Sequence, residues 1–153
     1  MGEPMTKERL YNYIKLKAEV EDYLERVARM KSAERFAPKG ESSGAQRQPG
    51  AHDRMTDAII RRMNYEEKWH PIASKNLDEM EAIERAVAAL DDPLERAVLR
   101  RRYMEPSEES AYRHPTWNCV AMQIYHSDED KYLLAVKRLH KKALLNLCQG
   151  TNE

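Results

Sequence analysis

The stretch Asp91-Asp92-Pro93-Leu94-Glu95, which continues as RAVLRRRYM to Met104, decides the interpretation of this chain. Asp92 can cap a helix, and Pro93 suits the first helical position because its missing N–H would have no partner there. Glu95 stands three residues after the cap, as in a capping box. We therefore predict a helix that starts at Pro93 and whose inner face consists of Leu94, Val98, Leu99 and Tyr103.

Two more helices are predicted after this one. Residues 105–115, EPSEESAYRHP, form an acidic polar loop, and Thr116 caps the next helix, TWNCVAMQIY. A turn at His126-Ser127-Asp128 leads into a last helix over about 128–148. The predicted inward residues are Trp117, Val120, Ala121 and Ile124, then Leu133, Val136, Leu139, His140, Ala143, Leu144 and Leu147. Three consecutive short helices with a basic third one are the layout of a helix-turn-helix, which we place at residues 91–153.

Upstream of Asp91 the sequence predicts two long helices separated by a linker. The first helix is predicted over residues 6–36, within segment 1–37. Its apolar residues recur at steps of three and four, which is typical of a coiled-coil seam or of an amphipathic helix packed in its own domain. Residues 38–51 are rich in Pro, Gly and Ser and form a flexible linker. Residues 52–90 form one long helix or a pair kinked at Pro71. The candidate oligomerisation residues are Tyr13, Leu16, Val20, Tyr23, Val27 and Met30.

The composition also favours an all-α fold. The 153 residues are 34% charged, contain one Phe and show no period-two run that would indicate a strand. No apolar run is long enough to cross a bilayer, and MGEPMTKERL contains no secretory signal, so we expect no membrane contact and a cytoplasmic location. The net charge is zero, but residues 93–102 and 131–153 are basic, whereas residues 103–130 carry six acidic residues and one basic residue.

No enzyme is predicted from the residue patterns. The chain contains no Gly-rich phosphate loop, no nucleophile elbow and no CxxC, HxxxH or HExxH spacing. We expect no metal and no cofactor. Cys119 and Cys148 are expected to be idle thiols, and His140 is expected to be a buried structural histidine.

The segments ERAVLRRRYM, TWNCVAMQI and VKRLHKKALLNL resemble region four of the sigma-70 class of transcription factors. The longer match, over most of the chain, is to small phage regulators of the ArpU/RinA type. In order, the matching segments are Tyr13–Met30, Pro38–Ala51, Asp53–Leu90, Leu90–Tyr103 and Val136–Leu147. Loop 105–115 and the stretch from Ser127 to Val136 are longer than in the family pattern, so the base-reading residues are not carried over.

The resemblance implies a DNA-binding regulator of phage or prophage genes, often late ones, in a bacterial host and associated with its nucleoid. The expected partners are double-stranded DNA, RNA polymerase and a second copy of the chain in a homodimer or higher oligomer. Two alternatives stay open: a small-terminase-like packaging subunit, and a sigma-like module that docks on polymerase without a DNA site. The candidate DNA-binding residues are Arg101, Arg102, Thr116, Lys131, Tyr132, Lys137, Arg138, Lys141 and Lys142.

Overall fold

The computed structural model describes residues 3–36 and 54–150, and over these ranges the chain is mostly helical and contains no strand. The prediction of an all-α protein is confirmed. The predicted linker 38–51 and Asp53 lie outside the described residues. The helices are α1 (Lys7–Phe36), α2 (Arg54–Ala88), α3 (Pro93–Leu99), α4 (Trp117–Tyr125) and α5 (Asp130–Gly150), and a π-helical turn, Arg100–Met104, extends α3.

Helix α2 runs through Pro71 without ending. Of the two alternatives left open for residues 52–90, the structure has one continuous helix from Arg54 to Ala88. Proline removes one backbone hydrogen bond and crowds the preceding turn, which costs about 3 kcal/mol inside a helix. Trp69 on one side of Pro71 is partly buried and Ala73 on the other side is buried, so packing on both sides holds the helical conformation.

The chain divides into two compact units, and the division falls inside both long helices. The first unit contains residues 1–18 and 76–153, and the second contains Glu19–Lys75. The segment boundaries predicted from the sequence lie at residues 37, 51 and 90. The start of α1 and the end of α2 thus belong to the same unit as α3, α4 and α5.

In the first unit, three helices share an apolar core. Val98 of α3, Val120 and Ala121 of α4, and Val136 of α5 are fully buried, and Trp117, Ile124, Tyr125 and Leu139 pack against them. The inward residues predicted for α4 and α5 are all buried or partly buried. One residue predicted on α3 is wrong: Leu94 is 43% exposed, whereas Glu95 is buried. The inner face of α3 consists of Glu95 and of Val98 and Leu99, which lie three and four positions after it.

The first half of α1 packs within the same unit through a wide apolar face. Leu10, Tyr13, Ile14 and Ala18 are buried. The Arg9 guanidinium donates to the Glu79 carboxylate at 2.7 and 3.0 Å, and the Tyr13 hydroxyl donates to Glu84. Tyr13, Ile14 and Ala18 lie three, four and eight positions after Leu10. Together the four form an apolar stripe that faces a domain core and is wider than a coiled-coil seam.

The second unit brings the end of α1 against the start of α2 in antiparallel order. Val20 and Val27 are buried, and the Tyr23 ring stacks on Tyr65 with ring centroids 5.9 Å apart. Arg62 donates to Glu34 at 2.6 Å. The six candidate oligomerisation residues on α1 are thus buried or partly buried within the chain, as expected for an amphipathic helix packed in its own domain. Self-association stays a prediction.

Candidate nucleic-acid interface

Helix α4, a short turn and helix α5 form the part of the chain that the sequence assigned to DNA. The Thr116 hydroxyl accepts a hydrogen bond from Cys119 N–H at 3.2 Å, so Thr116 caps α4 as predicted. Helix α4 ends at Tyr125, and its C-cap residue His126 has a left-handed backbone with φ 57° and ψ 29°. A left-handed residue at this position terminates a helix, and the next helix begins only four residues later, at Asp130.

Two contacts fix α5 beyond its apolar core. The Tyr125 ring at the end of α4 stacks on Tyr132 in the first turn of α5, with centroids 5.0 Å apart. Near the other end of the helix, the Asn146 amide donates to both carboxylate oxygens of Glu95, at 3.1 and 3.0 Å. Because Glu95 is only 1% exposed, this pair ties α5 to α3 inside the unit.

The outward face of α5 is basic. From Lys131 to Gly150 the helix contains no acidic residue and five Lys or Arg residues, all of them exposed: Lys131, Lys137, Arg138, Lys141 and Lys142. Positions Lys131, Leu134, Arg138, Lys141 and Leu145 follow one another at steps of three and four and therefore lie along one side of the helix. We call these five residues the outer stripe of α5. Its two leucines are 54% and 59% exposed.

The basic side chains of α5 differ in whether a neighbouring carboxylate already pairs with them. Lys131 Nζ lies 3.6 Å from Glu129 and 4.8 Å from the Tyr132 ring centroid. Lys142 Nζ lies 3.9 Å from the buried Glu95 carboxylate. For Lys137, Arg138 and Lys141, the described part of the chain shows no ion pair. These three cations are the ones most available to an external anion.

Three predicted DNA contacts have other partners in the structure. Tyr132 is partly buried against Tyr125, so its ring supports the turn. Arg101 pairs with Glu105 at 3.1 Å on the surface. Arg102 donates to the Pro115 carbonyl, and its guanidinium lies 4.5 Å from the Trp117 ring centroid. Arg102 therefore anchors the end of loop 105–115, and its contact with DNA stays a prediction.

Arg102 belongs to a cluster of rings that the sequence pattern did not reveal. The His140 ring lies 4.6 Å from Trp117 and 5.5 Å from Tyr103, and its Nε2 is within hydrogen-bond distance of the Tyr103 hydroxyl. Burial lowers the pKa of His140 to about 4, with smaller contributions from Lys7 and Arg102. Burial also raises the pKa of Tyr103 to about 12. His140 thus has the structural role expected of it.

His114 connects this cluster to the start of the chain. Its Nδ1 lies 3.0 Å from the Arg102 carbonyl oxygen and its Nε2 lies 3.0 Å from the Tyr11 carbonyl oxygen. Its ring also lies against Tyr11, with centroids 4.1 Å apart. Sequence reasoning missed His114, and its only local signal is its position before Pro115 at the end of a polar loop.

No protein-family model, no curated protein and no solved structure matches this chain. Across residues 3–36 and 54–150, no helix has the length and apolar character needed to cross a membrane. The same ranges contain no group of three His, Cys, Asp or Glu side chains arranged to hold a metal ion.

Proposed function

We propose that the chain is a non-catalytic, sequence-specific DNA-binding regulator that presents α5 to duplex DNA, of the phage or prophage type that its motifs resemble. One observation carries the proposal: the apolar side of α5 is seated in a core with α3 and α4, while its opposite side displays exposed cations and no acidic residue after Asp130. A helix of this kind suits a major groove lined by phosphates.

The four-residue connection at His126 supports a helix-turn-helix interpretation of α4 and α5. In that motif two helices are joined by a turn of about three to four residues, often with a glycine, because the chain must reverse sharply. Here His126 adopts the left-handed backbone that glycine favours. The tyrosine stack between Tyr125 and Tyr132 then holds the start of α5 against α4.

The charges around the turn indicate which part of α5 would enter the groove. Asp128, Glu129 and Asp130 are exposed at the start of the helix and would repel phosphates. Beyond them the outer stripe is cationic, with Arg138 and Lys141 at its centre. We therefore place base reading near Leu134 and Arg138, and phosphate contact at Lys137 and Lys141.

The test measures binding of the full chain to two fluorescent duplexes, one from the DNA surrounding its own gene and one of random sequence, over a series of salt concentrations. We expect both duplexes to bind at low salt and the first to bind more tightly. Arg138→Ala should weaken the preference for the first duplex, whereas Lys31→Ala, which removes an exposed cation from α1, should change neither affinity.

The outcomes separate the proposal from its alternatives. Absence of binding to either duplex at low salt overturns it, and the polymerase-docking alternative then takes its place. Binding accompanied by a sedimentation mass of a large ring would favour a packaging subunit over a regulator. Equal loss of affinity in Arg138→Ala and Lys31→Ala would show that α5 is not the reading helix.

A further inference from the structure

The second unit contains a hollow lined by aromatic rings and carboxylates. Its volume is about 290 Å³, and the residues that matter are Tyr23, Tyr65, Trp69, Glu19, Asp22 and Arg26. The hollow lies between the second half of α1 and the first half of α2. Its size is at the small end for ligand sites, which run from about 300 to 1,000 Å³.

The aromatic side of the hollow is a continuous group of three rings. Tyr23 and Tyr65 are nearly parallel, at 16° with centroids 5.9 Å apart, and Trp69 follows Tyr65 at 6.3 Å. All three side chains are partly buried. Ring faces carry negative electrostatic potential and attract cations within about 6 Å. Trp69 already attracts one, since Lys68 Nζ lies 5.1 Å from its ring centroid.

The polar side of the hollow is acidic and contains one cation. Asp22 Oδ2 lies 3.5 Å from Arg26 Nε in an ion pair, and both side chains remain more than half exposed. Glu19 lies one helical turn before Tyr23 on the same wall. An incoming cation would meet the Asp22 carboxylate and the ring faces together, and would compete with Arg26 for Asp22.

We propose that this hollow binds a weakly hydrated organic cation, namely a methylated ammonium or a guanidinium group. Such groups lose little hydration on entering an aromatic site, and the Asp22 carboxylate supplies the opposite charge. The group could belong to a free small molecule or to a side chain of a bound peptide. The proposal is independent of DNA binding, because none of its residues belongs to α3, α4 or α5.

The full chain offers a built-in probe for the test. It contains two tryptophans, so an ¹H–¹⁵N spectrum shows two indole N–H signals, and Trp69→Phe assigns them. Titration with choline should move the Trp69 signal with a millimolar dissociation constant and leave the Trp117 signal in place. Dimethylbutanol, the uncharged alcohol in which carbon replaces the choline nitrogen, should move it at least about three times less. Sodium chloride at matched concentration controls for ionic strength.

Two matched pairs of variants test the electrostatic part. Asp22→Asn should weaken choline binding about threefold, whereas Glu25→Gln, an exposed carboxylate in the same kind of pair with Arg29, should not. Arg26→Gln removes the competing cation and should tighten binding about twofold, whereas Arg29→Gln should not. Choline affinity should thus fall when one member of the ion pair is replaced and rise when the other is replaced. A merely structural role of the pair would not produce these opposite changes.

A comparison of choline with a short arginine-containing peptide distinguishes the two sources. Tighter binding of the peptide than of choline assigns the site to a protein partner, and the reverse assigns it to a free cation. The proposal is overturned if choline does not move the Trp69 signal at tens of millimolar, if dimethylbutanol moves it equally, or if each variant behaves like its control. Because Arg26→Gln removes only an exposed surface pair, it keeps the test valid should Asp22→Asn fail to fold.

Discussion

The Tyr103 hydroxyl and the His140 Nε2 lie within hydrogen-bond distance of each other, 37 positions apart in the chain. A neutral imidazole can accept a hydrogen bond from the phenol, and burial, together with Lys7 and Arg102, disfavours the charged imidazole. The contact joins the π-helical turn after α3 to the middle of α5. Protonation of His140 would remove the acceptor of this contact.

The first prediction concerns stability in mild acid. In the unfolded chain His140 has its ordinary pKa of 6.5, whereas in the folded chain burial lowers the pKa to about 4. Between these values the unfolded chain binds a proton that the folded chain does not, so the free energy of unfolding should decrease as the pH falls from about 6.5 to 4. With one pKa unit worth about 1.4 kcal/mol, and allowing for partial exposure, we expect a loss on the order of 2 kcal/mol.

Urea unfolding of the wild type and of His140→Gln at several pH values measures this effect. The glutamine can still accept from Tyr103 but does not titrate. The variant should therefore show a flatter dependence on pH over this range. Parallel curves for the two proteins would contradict the assignment to His140.

The second prediction concerns the buried carboxylate of Glu95. Asn146→Ala removes the amide that donates to both of its oxygens, and a buried charged acceptor without that donor costs about 1–3 kcal/mol. Lys142→Ala should cost less than about 1 kcal/mol, because the lysine is 67% exposed and lies 3.9 Å away. Chemical unfolding of both variants at neutral pH ranks the two contacts. A larger loss in Lys142→Ala would show that the ion pair, not the amide, holds Glu95.

The third prediction concerns the left-handed backbone at His126. His126→Gly should leave stability unchanged or raise it by up to about 1 kcal/mol, because glycine adopts this conformation without a steric penalty. His126→Val should lower the free energy of unfolding by at least about 1 kcal/mol, since a β-branched residue is strained there. Thermal unfolding of both variants provides the measurement. The glycine variant should also retain any DNA affinity.

The fourth prediction rests on the proposed function and concerns salt. If each chain neutralises about four phosphates, the logarithm of affinity should fall with the logarithm of salt concentration at a slope of about −3.6. Lys141→Ala should reduce the size of the slope by about 0.9, without changing which sequences are preferred. Lys142→Ala should reduce it less, because Glu95 already engages that ammonium. Equal slopes for both variants and the wild type would show that these lysines do not contact phosphates.

The sequence predicted most of what depends on local patterns. The caps at Asp92 and Thr116 are where they were expected, and each accepts the predicted kind of backbone hydrogen bond. The buried face of α5 was also predicted, because its apolar residues recur at the helical period. Glu95 was misread as a capping residue, although its spacing to Val98 and Leu99 already placed it on their face.

Contacts between distant segments could not be predicted in this way. Charge alone assigned Arg102 to phosphates, but the structure places its guanidinium on Trp117, fifteen positions further along. The hollow in the second unit depends on Tyr23 meeting Tyr65 and Trp69 across two helices. The sequence itself contains only the four-residue spacing of Tyr65 and Trp69. It indicates one aromatic side of a helix, but not what faces it.

The π-helical turn at Arg100–Met104 determines how the side chains after α3 are rotated about the helix axis. Its wider ring is closed by Glu105 N–H, which donates to the Arg100 carbonyl at 3.1 Å, five residues back. Deleting one residue here would allow a regular α-helical turn but rotate the following side chains by about 100°. Tyr103 would then lose His140, and Arg102 would lose Trp117. The turn therefore makes this short segment intolerant of length changes, whereas most single substitutions on its exposed side should be accepted.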